Sequence, residues 1–214
     1  MLGWLFGMAI NFFHGKDQMT ETLSTAAEEG KKQIAITFDD GPNPEYTMKL
    51  LEGLKKRGVK ATFFVLGEEV ERYPDILKAA YDDGHLIGVH SYQHVNFGQI
   101  GDAAALEQVE KTRQAIYDVT GEYTGYIRPP YGCWKKELDQ ELPMIEVLWD
   151  IDPLDWATKD ADTVVQRVLQ KCPDGSIILL HDASESSVCA AFTIIDTLQK
   201  QGYEFVTVEE LMLE

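Results

Sequence analysis

Positive charge is scarce in this chain. Its 214 residues hold 19 Lys plus Arg against 36 Asp plus Glu, a formal net charge of −17. Phosphate recognition needs clustered Lys and Arg, so nucleic acid is excluded as a natural partner. The same balance disfavours an anionic membrane surface and favours a neutral or cationic partner. Cysteine is also scarce. Cys133, Cys172 and Cys189 are too few and too scattered for a disulfide framework or a thiolate zinc site, and are expected as packing or surface residues. No apolar run reaches the roughly 20 residues needed to cross a bilayer. No dinucleotide or P-loop glycine pattern stands at a strand–helix turn, so a nucleotide-binding fold loses weight. There is no internal repeat, and nothing implies an obligate protein partner. What remains, 44% hydrophobic and 26% charged residues, is the composition of a folded globular chain long enough for one sizeable core.

Residues 1–13 carry no charge and are rich in Leu, Trp, Phe and Met. They lack the basic flank of a signal peptide and are short for a span. A truncated anchor or signal is the first reading, which would allow membrane tethering through 1–13. An amphipathic docking segment and an ordinary first helix are the others. Residues 14–32 are polar and read as a linker, so the folded domain is expected over 33–214.

From there the pattern alternates. Short apolar, β-branched runs at 34–38, 61–65, 86–90, 126–128, 146–149, 176–180 and 204–207 read as strands. Between most of them lie amphipathic segments that begin near Pro44, Pro74, Asp102, Asp162 and Val188 and stop at glycine or polar residues. The stretch 135–142 reads as a weaker helix. Strands separated by helices imply a parallel sheet, and continuous apolar runs imply a sheet covered on both faces. The expected fold is α/β, a distorted (β/α) barrel of about seven parallel strands. A flat doubly wound sheet is the alternative.

Polar residues gather where strands end: Asp39-Asp40, His90 with His94, Arg128 with Tyr131, Asp150, Asp152 and Asp155 with Trp156, and His181-Asp182. In a parallel barrel these ends share one rim, where active sites sit. Singly, each has an ordinary reading. Asp-Asp-Gly-Pro is a good turn, Asp155 a helix cap, Arg128 a salt-bridge partner. Jointly they are harder to dismiss. His85 precedes its strand and reads as structural; Cys133 and Trp134 read as structural too.

Two imidazoles and one carboxylate make a three-ligand metal site with an open position for water. His90, His94 and one of the two Asp at the end of the first strand supply that set. Zinc suits such nitrogen and oxygen ligands, with cobalt or another divalent ion as alternatives. A second carboxylate would act as base and His181 as acid, with Arg128 near Asp39 and Asp155 near His181 setting their charge states. A backbone N–H near Tyr131 could meet an oxyanion. These residue types describe metal-assisted hydrolysis of an acyl group and leave the substrate open.

The five clusters read Thr37-Phe38-Asp39-Asp40-Gly41-Pro42, His90-Ser91-Tyr92-Gln93-His94, Arg128-Pro129-Pro130-Tyr131-Gly132, Asp152-Pro153-Leu154-Asp155-Trp156 and Leu179-Leu180-His181-Asp182. In this order they resemble the motif set of the polysaccharide deacetylases, the NodB-homology family, over nearly all of 33–214. The resemblance implies Asp39 as general base and Asp40, His90 and His94 as metal ligands. It implies Arg128 positioning Asp39, and Tyr131 offering its N–H to an oxyanion. Asp155 would orient His181 as general acid, with Trp156 and Leu179 walling a pocket for the acetyl methyl. It also implies an N-acetylated polysaccharide or oligosaccharide substrate, peptidoglycan or chitin-like, met outside the cytoplasm. Asp40, where other members carry Asn, resembles the N-acetylglucosamine type. Pro153 inside the fourth motif departs from the pattern. An O-acetyl esterase on acetyl-xylan and a non-catalytic carbohydrate-binding protein are the alternatives, with small cyclic ureides a minor one.

Overall fold

The computed structural model describes residues 32–213. The apolar stretch 1–13 and the linker expected over 14–32 lie outside them, except that Lys32 already opens the first strand. Seven strands form one sheet: β1 (Lys32–Asp39), β2 (Thr62–Val65), β3 (Leu86–Val89), β4 (Tyr126–Ile127), β5 (Ile145–Glu146), β6 (Ser176–His181) and β7 (Tyr203–Val206). The order is β5-β4-β3-β2-β1-β6, with β7 beside β1. Every pairing is parallel. The chain after β5 curls the sheet towards closure. Val147 N–H still donates to Ile127 of β4 at 2.8 Å, and four residues later Ile151 bridges Ile178 of β6. The result is the expected distorted (β/α) barrel, open along part of its wall.

The helices are α1 (Thr47–Arg57), α2 (Gly67–Arg72), α3 (Pro74–Asp82), α4 (Asp102–Thr120), α5 (Ala161–Gln170), α6 (Glu185–Lys200) and α7 (Val208–Met212). Successive strand side chains point to opposite faces. Ile34, Ile36 and Phe38 of β1 therefore face the helices, in one core with Leu50, Leu54, Ile194 and Leu198. Ala35 faces inward with Phe64 and Val147, and Val208 of α7 joins them. Both faces are buried, so the sequence of β1 is continuously apolar. Gly88 on β3 makes room inside: a Cβ there would lie 2.5 Å from the Phe64 ring. On that ring stacks the Arg128 guanidinium, 4.3 Å from its centroid.

Three local expectations change. The helix expected over 135–142 is only a 3₁₀ turn, Lys136–Leu138. Its inward residues are just Leu138 and Leu142, and Pro143 follows, too little for an amphipathic face. The strand expected over 146–149 is Ile145–Glu146. It leaves the ladder early because Arg128 takes the Val147 and Leu148 carbonyls, both at 3.0 Å. Helix α2 was not foreseen, since six residues are too short for a periodic signal. The three cysteines are free, two half-buried and one exposed. Among the described residues no helix is long and apolar enough to cross a membrane.

Candidate active site

All five polar clusters meet at the C-terminal ends of the strands. The backbone there is unusual. The non-glycine residues with positive φ among the described residues are Asp40 (75°), Ser91 (65°), His94 (54°), Tyr131 (61°) and Leu154 (55°). Each lies in one of the five motifs. Such conformations cost about 1–3 kcal/mol each and persist where the surroundings enforce them. At the first turn the surroundings are visible. A Cβ on Gly41 would come within 2.4–2.9 Å of the Asp182 carboxyl group, so only glycine fits beside it. Leu66 N–H ties down the Gly41 carbonyl at 3.0 Å. The loop holding His94 is pinned from two sides. Gly67 and Glu68 at the start of α2 donate to the Ser91 and Tyr92 carbonyls, both at 3.1 Å. Gln108 Oε1 on α4 accepts from Tyr92 and Gln93 N–H at 3.0 and 2.9 Å.

Asp40 Oδ1 lies 3.5 Å from Nε2 of both His90 and His94. That oxygen is buried and has no hydrogen-bond partner. His90 Nδ1 lies 2.7 Å from the Arg128 carbonyl oxygen, which can only accept, so the ring proton sits on Nδ1 and the Nε2 lone pair faces Asp40. Burial lowers the His90 pKa, against the pull of Asp39 and Asp40, and keeps the ring in its neutral, ligating form. One orphaned carboxylate oxygen and two imidazole nitrogens, all within 4.8 Å of one another, fit a divalent cation.

Asp39 is 2% exposed and Arg128 0%. Arg128 Nη1 donates to Asp39 Oδ1 at 2.8 Å and to Thr37 Oγ1 at 2.7 Å. The other Asp39 oxygen faces the ligand set, 3.8 Å from His90 Nε2. Across β1 and β6, Asp39 is in register with His181. His181 Nδ1 lies 2.8 Å from Asp155 Oδ1, while Asp155 Oδ2 accepts from the His181 N–H at 2.9 Å and from Ser187 Oγ at 2.7 Å. Burial opposes a charge on His181, but the Asp155 hydrogen bond and charge, helped by Asp39 and Asp40, win and push the imidazole up to about 9. It is a cation at neutral pH, with Nε2–H free to donate.

Of the remaining candidates, Leu179 is buried two residues before His181, on the same face of β6. Trp156 stands on the rim, 66% exposed. The Tyr131 ring is exposed and meets His94 edge-on at 4.9 Å. Pro153 is accommodated, because its carbonyl accepts from Arg167 of α5 at 2.7 Å. Asp150 serves the barrel wall instead of the site: its Oδ2 accepts the Ile177 N–H at 2.8 Å. Sequence reasoning missed the supports. Thr37 braces Arg128, Ser187 braces Asp155, and the Asp182 carboxylate accepts from Thr47 Oγ1 at the start of α1. Burial raises the Asp182 pKa to about 7.

Residues 26–146 match the sequence profile of the polysaccharide deacetylases. The chain belongs to the polysaccharide deacetylase family. It is 39% identical over 180 residues to the peptidoglycan-N-acetylglucosamine deacetylase PgdA of Listeria monocytogenes, covering 84% of this chain and 39% of that protein. It is 41% identical over 195 residues to the peptidoglycan-N-acetylmuramic acid deacetylase PdaC of Bacillus subtilis, covering 89% of this chain and 42% of that protein. The chain thus spans about two-fifths of the length of these relatives. The solved structure of PdaC superposes with a TM-score of 0.83 at 42% identity, covering 86% of this chain and 91% of that one. A family pseudoenzyme from Bacillus anthracis superposes at 0.79 with 31% identity, covering 85% of this chain and 66% of that one. In a polysaccharide deacetylase the fold therefore does not guarantee turnover, which depends on the individual side chains at the rim.

Proposed function

We propose that this domain is a metal-dependent N-deacetylase that hydrolyses acetamido groups on N-acetylglucosamine residues of peptidoglycan. The observation that carries the reading is the orphaned Asp40 oxygen facing two imidazole nitrogens, beside an Asp39 whose second oxygen is turned to the same point. Asp40, His90 and His94 would hold the ion. Zinc, cobalt or a similar divalent ion supplies Lewis acidity and a water of lowered pKa when bound.

The chain's own residues do the rest. Asp39 takes the proton from the attacking water, and the Arg128 hydrogen bond fixes that carboxylate in place. The Tyr131 N–H meets the oxygen on which negative charge develops. Leu179 and Trp156 flank the acetyl methyl. His181, held as the imidazolium by Asp155, gives its proton to the departing nitrogen. A C–O bond forms, the C–N bond breaks, and acetate and an amine leave. The relatives' names support a peptidoglycan substrate, and they divide between glucosamine and muramic acid. Asp40 in the position of the metal-ligand carboxylate favours the glucosamine side. Such a substrate places the reaction outside the cytoplasm, with 1–13 as a candidate tether.

Acetate release from an N-acetylglucosamine tetramer and from peptidoglycan, by zinc-loaded protein and by Asp39→Asn, tests the reading. Release by the parent alone, abolished by complete chelation, is the expected result. Release that survives metal removal overturns the mechanism. Release only from acetyl-xylan overturns the substrate, and binding without any release puts the chain with the pseudoenzymes.

A further inference from the structure

At the opposite end of the barrel, where β3 and β4 begin, lies a cavity of about 200 Å³. Its lining includes His85, Tyr81, Glu122, Tyr126, Glu209 and Ile87. The metal ligands and catalytic candidates take no part in it. His85 is 5% exposed. Its Nδ1 accepts the Ala61 N–H at 3.1 Å, so the ring proton is on Nε2. The Phe63 ring covers one side of the imidazole, edge to face at 5.3 Å. Burial pushes the imidazole down to about 4, so it stays neutral. Among the described residues no group accepts from the Nε2–H, and the part of the ring that is not covered opens on the cavity. A donor that opens on a cavity in this way is available to an acceptor placed there.

The other polar groups limit what that acceptor is. Tyr126 Oη donates to Glu209 at 3.0 Å, and the Tyr81 phenol faces the Glu122 carboxylate, which raises its pKa. Each carboxylate keeps further lone pairs to accept with. An anion would supply an acceptor to His85 but would be repelled by Glu122 and Glu209. A simple cation would suit the carboxylates but offers His85 nothing. A neutral ligand with several hydroxyl groups satisfies both, since each hydroxyl donates and accepts. The apolar wall of Ile87 and the tyrosine rings suits the C–H face of a pyranose. We propose that this cavity is a second carbohydrate site, which holds one neutral sugar ring of a glycan through His85 Nε2–H, Glu122 and Glu209, remote from the deacetylation rim. A domain with a glycan grip at each end can stay on an insoluble polymer while the rim works.

The test is NMR on the full chain carrying Asp39→Asn, which prevents turnover, titrated with the N-acetylglucosamine tetramer. The His85 ring resonances and the rim resonances should both shift and saturate. Gly125 lines the cavity mouth, and a Cβ there meets nothing within 4 Å, so Gly125→Trp should block the site without disturbing the fold. In that variant, and in Glu122→Gln with Glu209→Gln, the His85 shift should vanish while the rim shift remains. On an otherwise unaltered chain, Gly125→Trp should lower retention on insoluble peptidoglycan about tenfold and leave acetate release from the soluble tetramer within about twofold. Rim shifts alone, or a His85 shift that Gly125→Trp does not alter, would overturn the proposal. A His85 shift in the Asp39→Asn chain, together with no acetate release by the parent chain, would keep it and sink only the deacetylase reading.

Discussion

Strand β3 has a buried histidine at each end: His85 just before Leu86 and His90 just after Val89, 5% and 3% exposed. Burial depresses the pKa of both. Their ring nitrogens are used in opposite senses. His90 donates from Nδ1 to the Arg128 carbonyl and turns a bare Nε2 towards two carboxylates. His85 accepts at Nδ1 from Ala61 and turns an N–H outward. One backbone neighbour, a carbonyl in one case and an amide in the other, selects the tautomer. That choice leaves His90 with a nitrogen lone pair suited to a cation and His85 with a hydrogen-bond donor. Residue type and burial alone do not separate them.

Breaking each end should therefore have a different result. His90→Ala should abolish divalent-ion binding, measured by dialysis and elemental analysis, and lower acetate release on the order of 10⁴-fold. His85→Ala should leave release within about twofold. It strands the Ala61 N–H, and chemical unfolding should show a loss of about 1–3 kcal/mol. Equal loss of metal in the two variants would end the distinction.

The same contrast shows what can be read without a structure. The strands and the rim were legible because the catalytic candidates sit in short motifs directly after apolar runs. Position in the chain then reports position in the barrel. His85, before its run, was placed at the correct end by that logic, but its Nε2–H was invisible, since the tautomer depends on Ala61, 24 residues away. Asp182 stood beside His181 in plain view. Its role was hidden because the hydroxyl that meets it belongs to Thr47, 135 residues earlier. Arg128 was recognised as a partner of Asp39. That it also truncates β5 by claiming two carbonyls follows from its full burial. Local pattern reports which end of a strand a group occupies, whereas long-range hydrogen bonds decide what it does there.

Arg128 offers the next largest effect. It is a fully buried cation, held by Asp39, Thr37 and two carbonyls and stacked on Phe64. Arg128→Met fits the apolar neighbours but leaves Asp39 buried without its counter-charge. Removing one partner of such a pair costs about 3–5 kcal/mol. Urea unfolding should show that loss, and acetate release should fall with it. A variant of parental stability would mean that the Arg128–Asp39 pair adds nothing net to the fold.

The His181–Asp155 pair should make stability depend on pH at the rim. In the folded chain the imidazole is pushed up to about 9, above its ordinary 6.5. The folded state then holds the proton more tightly, and the stabilisation is fully present below pH 6.5 and lost as pH rises through about 9. Its upper bound is on the order of 3 kcal/mol. Unfolding of the metal-free protein at pH 6 and at pH 9.5 measures it, and Asp155→Asn should flatten the difference. The alkaline limb of activity should move towards neutral pH in the same variant. No such movement would separate His181 from the proton transfer.

The smallest effect belongs to the far end, where α7 closes the barrel floor. Thr207 caps this five-residue helix: its Oγ1 accepts the Glu210 N–H at 3.2 Å, and Glu210 Oε2 accepts the Thr207 N–H at 2.8 Å. Val208 N–H meanwhile donates to Thr62 Oγ1 of β2 at 3.1 Å, so the helix is anchored to the sheet by its first turn. A helix this short has little stability of its own and depends on its cap and its packing. Thr207→Ala should cost about 1 kcal/mol in chemical unfolding. Acetate release and metal binding should be unchanged, because no hydrogen bond in this cap reaches Asp39, Arg128 or the ligand set. A fall in metal affinity with Thr207→Ala would mean that the barrel floor and the rim are coupled through the Phe64–Arg128 stack, and that the two ends of β3 are less independent than their opposite tautomers imply.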